Sequence, residues 1–239
     1  MNIQSKLIEY SDGDHLMEGY MAWDDSISGE RPGVLIGHAW AGRGEFECQK
    51  ARDIAALGYV GFALDVYGKG VLGTRPEQKT GLMKPFLDDR AMLQRRMAQI
   101  FELVRSQEVV DASRVAAMGF CFGGLCVLDL ARTGADLRGA TCFHGLFSPA
   151  PNLSGRKIQA KVLALHGWDD PMVTPDQVVA LGAEMTAAGA DWQIHAYGQT
   201  SHAFTNPAAN NPELGRVYNE VADRRSWQAL ENVLSEVLA

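Results

Sequence analysis

The chain has 239 residues, 46% of them hydrophobic and 21% charged, with a net charge of −7. This is the composition of an ordinary soluble globular protein, neither disordered nor membrane-spanning, and its length suits one large α/β domain over residues 1–239. The negative balance, with no basic block to offset it, excludes sequence-independent binding to nucleic acid.

The first ten residues lack the apolar core of a signal peptide, and no later run approaches the length of a transmembrane helix. The expected address is therefore cytoplasmic, with no membrane partner. Cys48, Cys121, Cys126 and Cys142 form no Cys-x-x-Cys pair, which predicts reduced thiols and no metal site.

Residues 2–10 and 15–23 alternate around Ser11-Asp12-Gly13-Asp14 and predict an antiparallel hairpin at one edge of a sheet. Residues 33–38 predict a short buried strand, followed by the loop Ala39-Trp40-Ala41-Gly42-Arg43-Gly44 and a helix over 45–57. A strand at 59–64 leaves into a loop reaching about residue 84, a length that usually carries function. Residues 86–107 place Phe86, Met92, Leu93, Met97, Ile100, Phe101 and Val104 at helical spacing and predict one continuous helix. The apolar run 114–118 then predicts a strand and 125–131 a helix. Strands are expected at 139–144, 161–166 and 191–197, and helices at 174–188 and 213–237. The alternation predicts a mostly parallel central sheet with helices on both faces, with ligands bound beyond the carboxyl ends of the strands.

The most informative stretch is Gly119-Phe120-Cys121-Phe122-Gly123-Gly124, between the strand at 114–118 and the helix after it. Strand, Gly-x-Cys-x-Gly and helix describe a nucleophile elbow with cysteine in the serine position. Gly119 and Gly123 leave room where strand and helix pack closely. The turn aims the thiol at a helix N-terminus, whose free N–H groups favour a thiolate. Cys121 is thus the candidate nucleophile.

A cysteine nucleophile needs a base and a group to orient that base. His166-Gly167-Trp168-Asp169-Asp170-Pro171 and Ser201-His202-Ala203-Phe204 each follow an expected strand, so both emerge at the edge where the elbow lies. The order nucleophile, acid, histidine is that of the α/β-hydrolase fold. His15, His144, His166 and His195 fall on or beside strands and are read as structural, as are Cys48, Cys126 and Cys142.

Gly119 to Gly124, Asp170-Pro171-Met172-Val173 and Ser201-His202-Ala203-Phe204 resemble the motifs of the dienelactone hydrolases, in element order along nearly the whole chain. The resemblance implies Cys121 as nucleophile, His202 as general base and acid, and Asp170, rather than the adjacent Asp169, as the orienting carboxylate. It implies an oxyanion hole from the Phe122 and Trp40 backbone N–H groups, a lactone or activated ester as substrate, and no cofactor. Two positions depart from the family: Ala39 stands where many members carry a glutamate beside the nucleophile, and Asn206 where a member typically holds the substrate carboxylate with arginine.

Either His38, beside that position, substitutes for the glutamate or Cys121 ionises through His202 and the helix dipole alone, while His38, Phe204 and Asn206 are the expected pocket residues. Arg43, Arg75, Lys84 and Arg90 are the alternative cations. A cysteine amidotransferase ranks lower, because Phe204 occupies the place where it would carry glutamate. A non-hydrolytic binding or thiol redox-sensing protein on the same fold is the alternative from another class.

Overall fold

The computed structural model describes all 239 residues. Eight strands form one sheet: β1 (Ile3–Asp12), β2 (His15–Asp24), β3 (Arg31–Gly37), β4 (Val60–Ala63), β5 (Val110–Phe120), β6 (Gly139–Phe143), β7 (Lys161–Gly167) and β8 (Trp192–Tyr197). Their spatial order is β1-β2-β4-β3-β5-β6-β7-β8. The β1–β2 hairpin joins antiparallel at one edge, and β4 to β8 run parallel with β3. This is the α/β-hydrolase architecture, with the expected hairpin at its edge.

Side chains at successive strand positions point to opposite faces, so each central strand feeds two cores. In β5, Val115 and Ala117 enter one, and Ala116, Met118 and Phe120 the other. In β7, Val162 and Ala164 oppose Leu163 and Leu165 in the same way. Helices α1 (Glu45–Ala56) and α6 (Glu220–Val237) cover one face. Helices α3 (Arg90–Arg105), α4 (Phe122–Arg132) and α5 (Pro175–Ala187) cover the other, while α2 (Pro76–Asp88) lies over the loops. No helix is long and apolar enough to cross a membrane.

Three expected boundaries are corrected. The long loop stops at Arg75, because Pro76 starts α2 at a position where a missing N–H costs nothing, and Gln78 Oε1 accepts from Arg75 N at 3.2 Å. The single helix over 86–107 is two helices: Asp89 leaves helical geometry and caps α3 by accepting from Met92 N at 2.9 Å. Hydrophobic spacing alone does not register that cap. The last helix begins at Glu220, after Asn219 accepts from Ala222 N at 3.0 Å. Residues before it instead form a small ladder of β9 (Asn210–Asn211) and β10 (Arg216–Val217).

Candidate active site

β5 ends at Phe120 and α4 begins at Phe122, so Cys121 alone makes the turn, at φ 54° and ψ −113°. Few side-chain-bearing residues adopt that conformation, and it persists only where its surroundings hold it. Here Cys121 N donates to Phe143 O at 3.0 Å, and its carbonyl accepts from Gly124 N at 3.0 Å and Leu146 N at 3.3 Å. The glycines are there for backbone contact. A Cβ on Gly119 would stand 2.1 Å from Gly123 O, and one on Gly123 would stand 2.2 Å from Gly37 O.

The second of these contacts presses the end of β3 against the first turn of α4 and sets loop 38–44 beside Cys121. Gly123→Ala is therefore expected to cost about 4 kcal/mol or more, lowering the thermal midpoint by roughly 10 °C. Gly81→Ala, in an α2 site with nothing within 4 Å, leaves the midpoint unchanged or slightly raised. Thermal melts of the two variants check this.

Asp170 follows β7 and His202 follows β8, strands that pair side by side. Asp170 Oδ2 lies 2.7 Å from His202 Nδ1, and its Oδ1 accepts from Met172 N at 2.8 Å. Both side chains are buried, whereas Asp169 is exposed. Two backbone devices hold the loops together. His202 N donates to Gly215 O at 2.9 Å and Val217 N to His202 O at 3.1 Å, making β10 the support of the histidine. A Cβ on Gly215 would fall 2.3 Å from Pro171 Cγ, so that glycine lets the acid loop close against the histidine loop.

Burial opposes ionisation of the Cys121 thiol, but His202 and the Phe122 backbone N–H outweigh it and hold the thiol below its ordinary value. Burial likewise disfavours the charged form of His202, yet the Cys121 thiolate and Asp170 push it up to about 10. The pair therefore favours thiolate and imidazolium. His202 Nε2 is buried and has no hydrogen-bond partner in the protein. Catalytic hydrogen bonds are often incomplete before substrate binds. The other cysteines are buried, and burial pushes each thiol up.

Loop 38–44 is held by groups outside the motifs. Ala39 N and Gly44 N donate to the two carboxylate oxygens of the buried Glu47, at 3.3 and 2.9 Å, and Tyr67 Oη donates to Trp40 O at 3.2 Å. Gly44-x-x-Glu47 is a capping arrangement visible in the sequence. His38 is corrected from its expected place. Its Nδ1 donates to Ala39 O at 2.7 Å and its Nε2 accepts from Val66 N at 3.3 Å. With both nitrogens committed to backbone, it braces the loop from behind and does not line the cavity. Phe204 is also corrected, being fully buried with its ring edge-to-face on His144.

Cys121 and His202 open on a cavity of about 570 Å³, with Trp40 and Asn206 in its wall. None of Arg43, Arg75, Lys84 and Arg90 reaches it: Arg43 pairs with Glu18 at 2.9 Å, Lys84 with Asp88 and Arg90 with Asp129, and Arg75 precedes α2 on the surface. The cations present are Lys79 from α2 and Arg216 from β10, whose charged groups lie 5.3 and 4.0 Å from the Trp40 ring centre. Neither belongs to a motif in the sequence. His144, expected to be structural, also lines the cavity. His166 is buried at the end of β7 with neither nitrogen bonded, and burial pushes its pKa down. No group of three His, Cys, Asp or Glu side chains could hold a metal ion.

Residues 17–238 match the model of the dienelactone hydrolase family. A dienelactone hydrolase-like promiscuous phosphotriesterase from metagenomic libraries superposes with a TM-score of 0.94 at 34% identity, over 100% of both chains. A solved structure named m3DLH gives a TM-score of 0.95 at 35% identity over the same coverage. An uncharacterized protein of Caenorhabditis elegans is 32% identical over 155 residues, which are 64% of this chain and 98% of its own.

Proposed function

Because the chain belongs to the dienelactone hydrolase family, and so is an ester or lactone hydrolase, we propose that it cleaves a lactone or activated enol-type ester through an acyl-thioester on Cys121. Membership decides against the non-hydrolytic alternative. The observation that carries the finer reading is the buried run of Cys121, His202 and Asp170 opening on one cavity.

The thiolate attacks the substrate carbonyl, and the Phe122 and Trp40 backbone N–H groups receive the developing oxyanion. Each such donor is worth about 3 kcal/mol in the transition state. Collapse breaks the acyl–oxygen bond, and the departing oxygen takes the proton from His202, which Asp170 keeps in orientation. Water then attacks the thioester and gives its proton to the now neutral His202. The C–S bond breaks, and thiolate and imidazolium are restored. A thiolate expels an enolate more readily than an ordinary alkoxide or amide, which favours the enol ester. The similarity to a phosphotriesterase supports a second substrate class for the same nucleophile, phosphotriesters with a good leaving group.

Reactivity should follow the ion pair. Acylation rises with pH as Cys121 ionises below its ordinary value and falls as His202 loses its proton near pH 10. The pH dependence of Cys121 alkylation, read by mass spectrometry, checks the rise, with Cys121 reacting selectively at neutral pH, and the pH dependence of the leaving-group burst checks the fall.

Arg216 and Lys79 support a substrate that also bears an anionic group, a role the family gives to a position occupied here by Asn206. Arg216→Leu is then expected to raise KM for a carboxylate-bearing lactone by about 10- to 100-fold, the value of one charge-assisted hydrogen bond, with little change for a neutral aryl ester. Parallel hydrolysis assays on those two substrates test both the reaction and its preference. Equal KM changes on both would remove the anion-binding role. Hydrolysis of neither substrate by the native chain would remove the proposed reaction.

A further inference from the structure

His144 follows β6 and stands next to the reacting groups, yet none of the steps above uses it. Its backbone holds φ 38°, a left-handed conformation rare outside glycine. It is kept there by its N–H donating to Leu165 O at 2.8 Å. The ring is 2% exposed, lines the cavity, and meets the His202 ring edge-on with centroids 4.9 Å apart. Its Nε2 lies 2.9 Å from Thr205 Oγ1, in another cavity-lining residue, while its Nδ1 is buried with no protein partner.

Burial and the neighbouring His202 push its pKa well below the ordinary value, so it stays neutral beside the imidazolium. A neutral imidazole with one nitrogen engaged by Thr205 keeps the other for one further hydrogen bond. A buried polar atom without a protein partner is commonly met by ordered water. Resting on the acyl-thioester reading, we infer that His144, fixed by Thr205, holds the water that attacks the Cys121 thioester beside His202.

In that step the water oxygen bonds to the thioester carbonyl carbon and its proton passes to His202 Nε2. The C–S bond then breaks, leaving a carboxylic acid, the Cys121 thiolate and the His202 imidazolium. His144 changes neither charge nor proton count. Its contribution is to orient the water, so it serves the second half-reaction and not the first.

The test compares His144→Phe, which keeps the ring packing and removes both nitrogens, with His144→Asn, which tolerates the left-handed backbone. Thr205→Val releases the ring from its hydroxyl. With an activated aryl ester, rapid mixing reads acylation as the burst of released phenol, and intact mass reads the acyl–Cys121 species. The expected result is a burst rate within about threefold of the native protein and turnover lowered about tenfold or more, with acyl–Cys121 accumulating.

Hydroxylamine, a nucleophile that does not need its proton removed, should then discharge the adduct at similar rates in native and variant proteins. Burst and turnover falling together in the folded variants would mean that His144 only supports the fold. An adduct that decays at the native rate would show that water needs no help from it. A native protein that forms no Cys121 adduct would overturn the thioester reading itself, and this inference with it.

Discussion

Cys121→Ala and His202→Ala are each expected to lower ester or lactone turnover by about 10⁴-fold or more, with the double variant little worse than either single one. Groups that act as one unit show that non-additivity. In the native chain the elbow presents the thiol at the start of α4, and His202 lies close enough for each to stabilise the other's charge. Removing the thiol leaves no nucleophile. On the proposed mechanism, removing the imidazole takes away both the stabilising cation and the acid that protonates the leaving oxygen. Neither substitution should unfold the chain, because the turn is held by backbone hydrogen bonds to Phe143 O and from Gly124 N and Leu146 N. Steady-state assays beside thermal melts check both halves of the expectation.

Asp170→Asn is expected to lower turnover by about 10²- to 10⁴-fold, the range associated with a correctly placed acid–base group, while Asp169→Asn stays near the native rate. Asp170 is the buried partner of His202 Nδ1 at 2.7 Å, and Asp169 is exposed on the same loop. An asparagine at 170 can offer His202 an amide N–H where the carboxylate accepts, favouring the wrong tautomer, and it no longer steadies the imidazolium. The pH profile should narrow on its alkaline side, because part of what holds His202 protonated above its ordinary value is Asp170. Equal losses at 169 and 170 would reject Asp170 as the orienting carboxylate.

What was legible in the sequence follows from locality. The elbow is written in six consecutive residues, and its glycines are required by contacts of 2.1 and 2.2 Å that a single Cβ would create. The strand alternation was equally readable, because the two faces of β5 and β7 feed separate cores. Boundaries that depend on one cap were not readable by spacing. Asp89 divides what looked like one helix, and Asn219 delays another. Asp170 and His202 stand in short motifs, whereas the β10 strand that supports His202 lies inside an expected helix.

The polar wall of the cavity was the least visible part. Lys79, Arg216 and His144 come from three separated segments, and only the folded sheet and the α2 cover bring them around Cys121. His38 neighbours Ala39 in sequence, but its two backbone partners turn it away from the site. Glu47 holds the same loop from α1, eight residues farther on than Ala39. Proximity along the chain does not show which side chain holds this loop; the carboxylate that does so comes from the first turn of α1.

The proposed mechanism requires a covalent acyl group on Cys121. The most direct measurement mixes the native chain with an activated aryl ester and with an enol-lactone, quenches in acid at short times, and maps the added mass by peptide mass spectrometry. Acyl mass is expected on the peptide containing Cys121, formed as fast as the leaving group appears, decaying with turnover, and absent in Cys121→Ala. Turnover without that adduct, or an adduct that maps to another side chain, would contradict it.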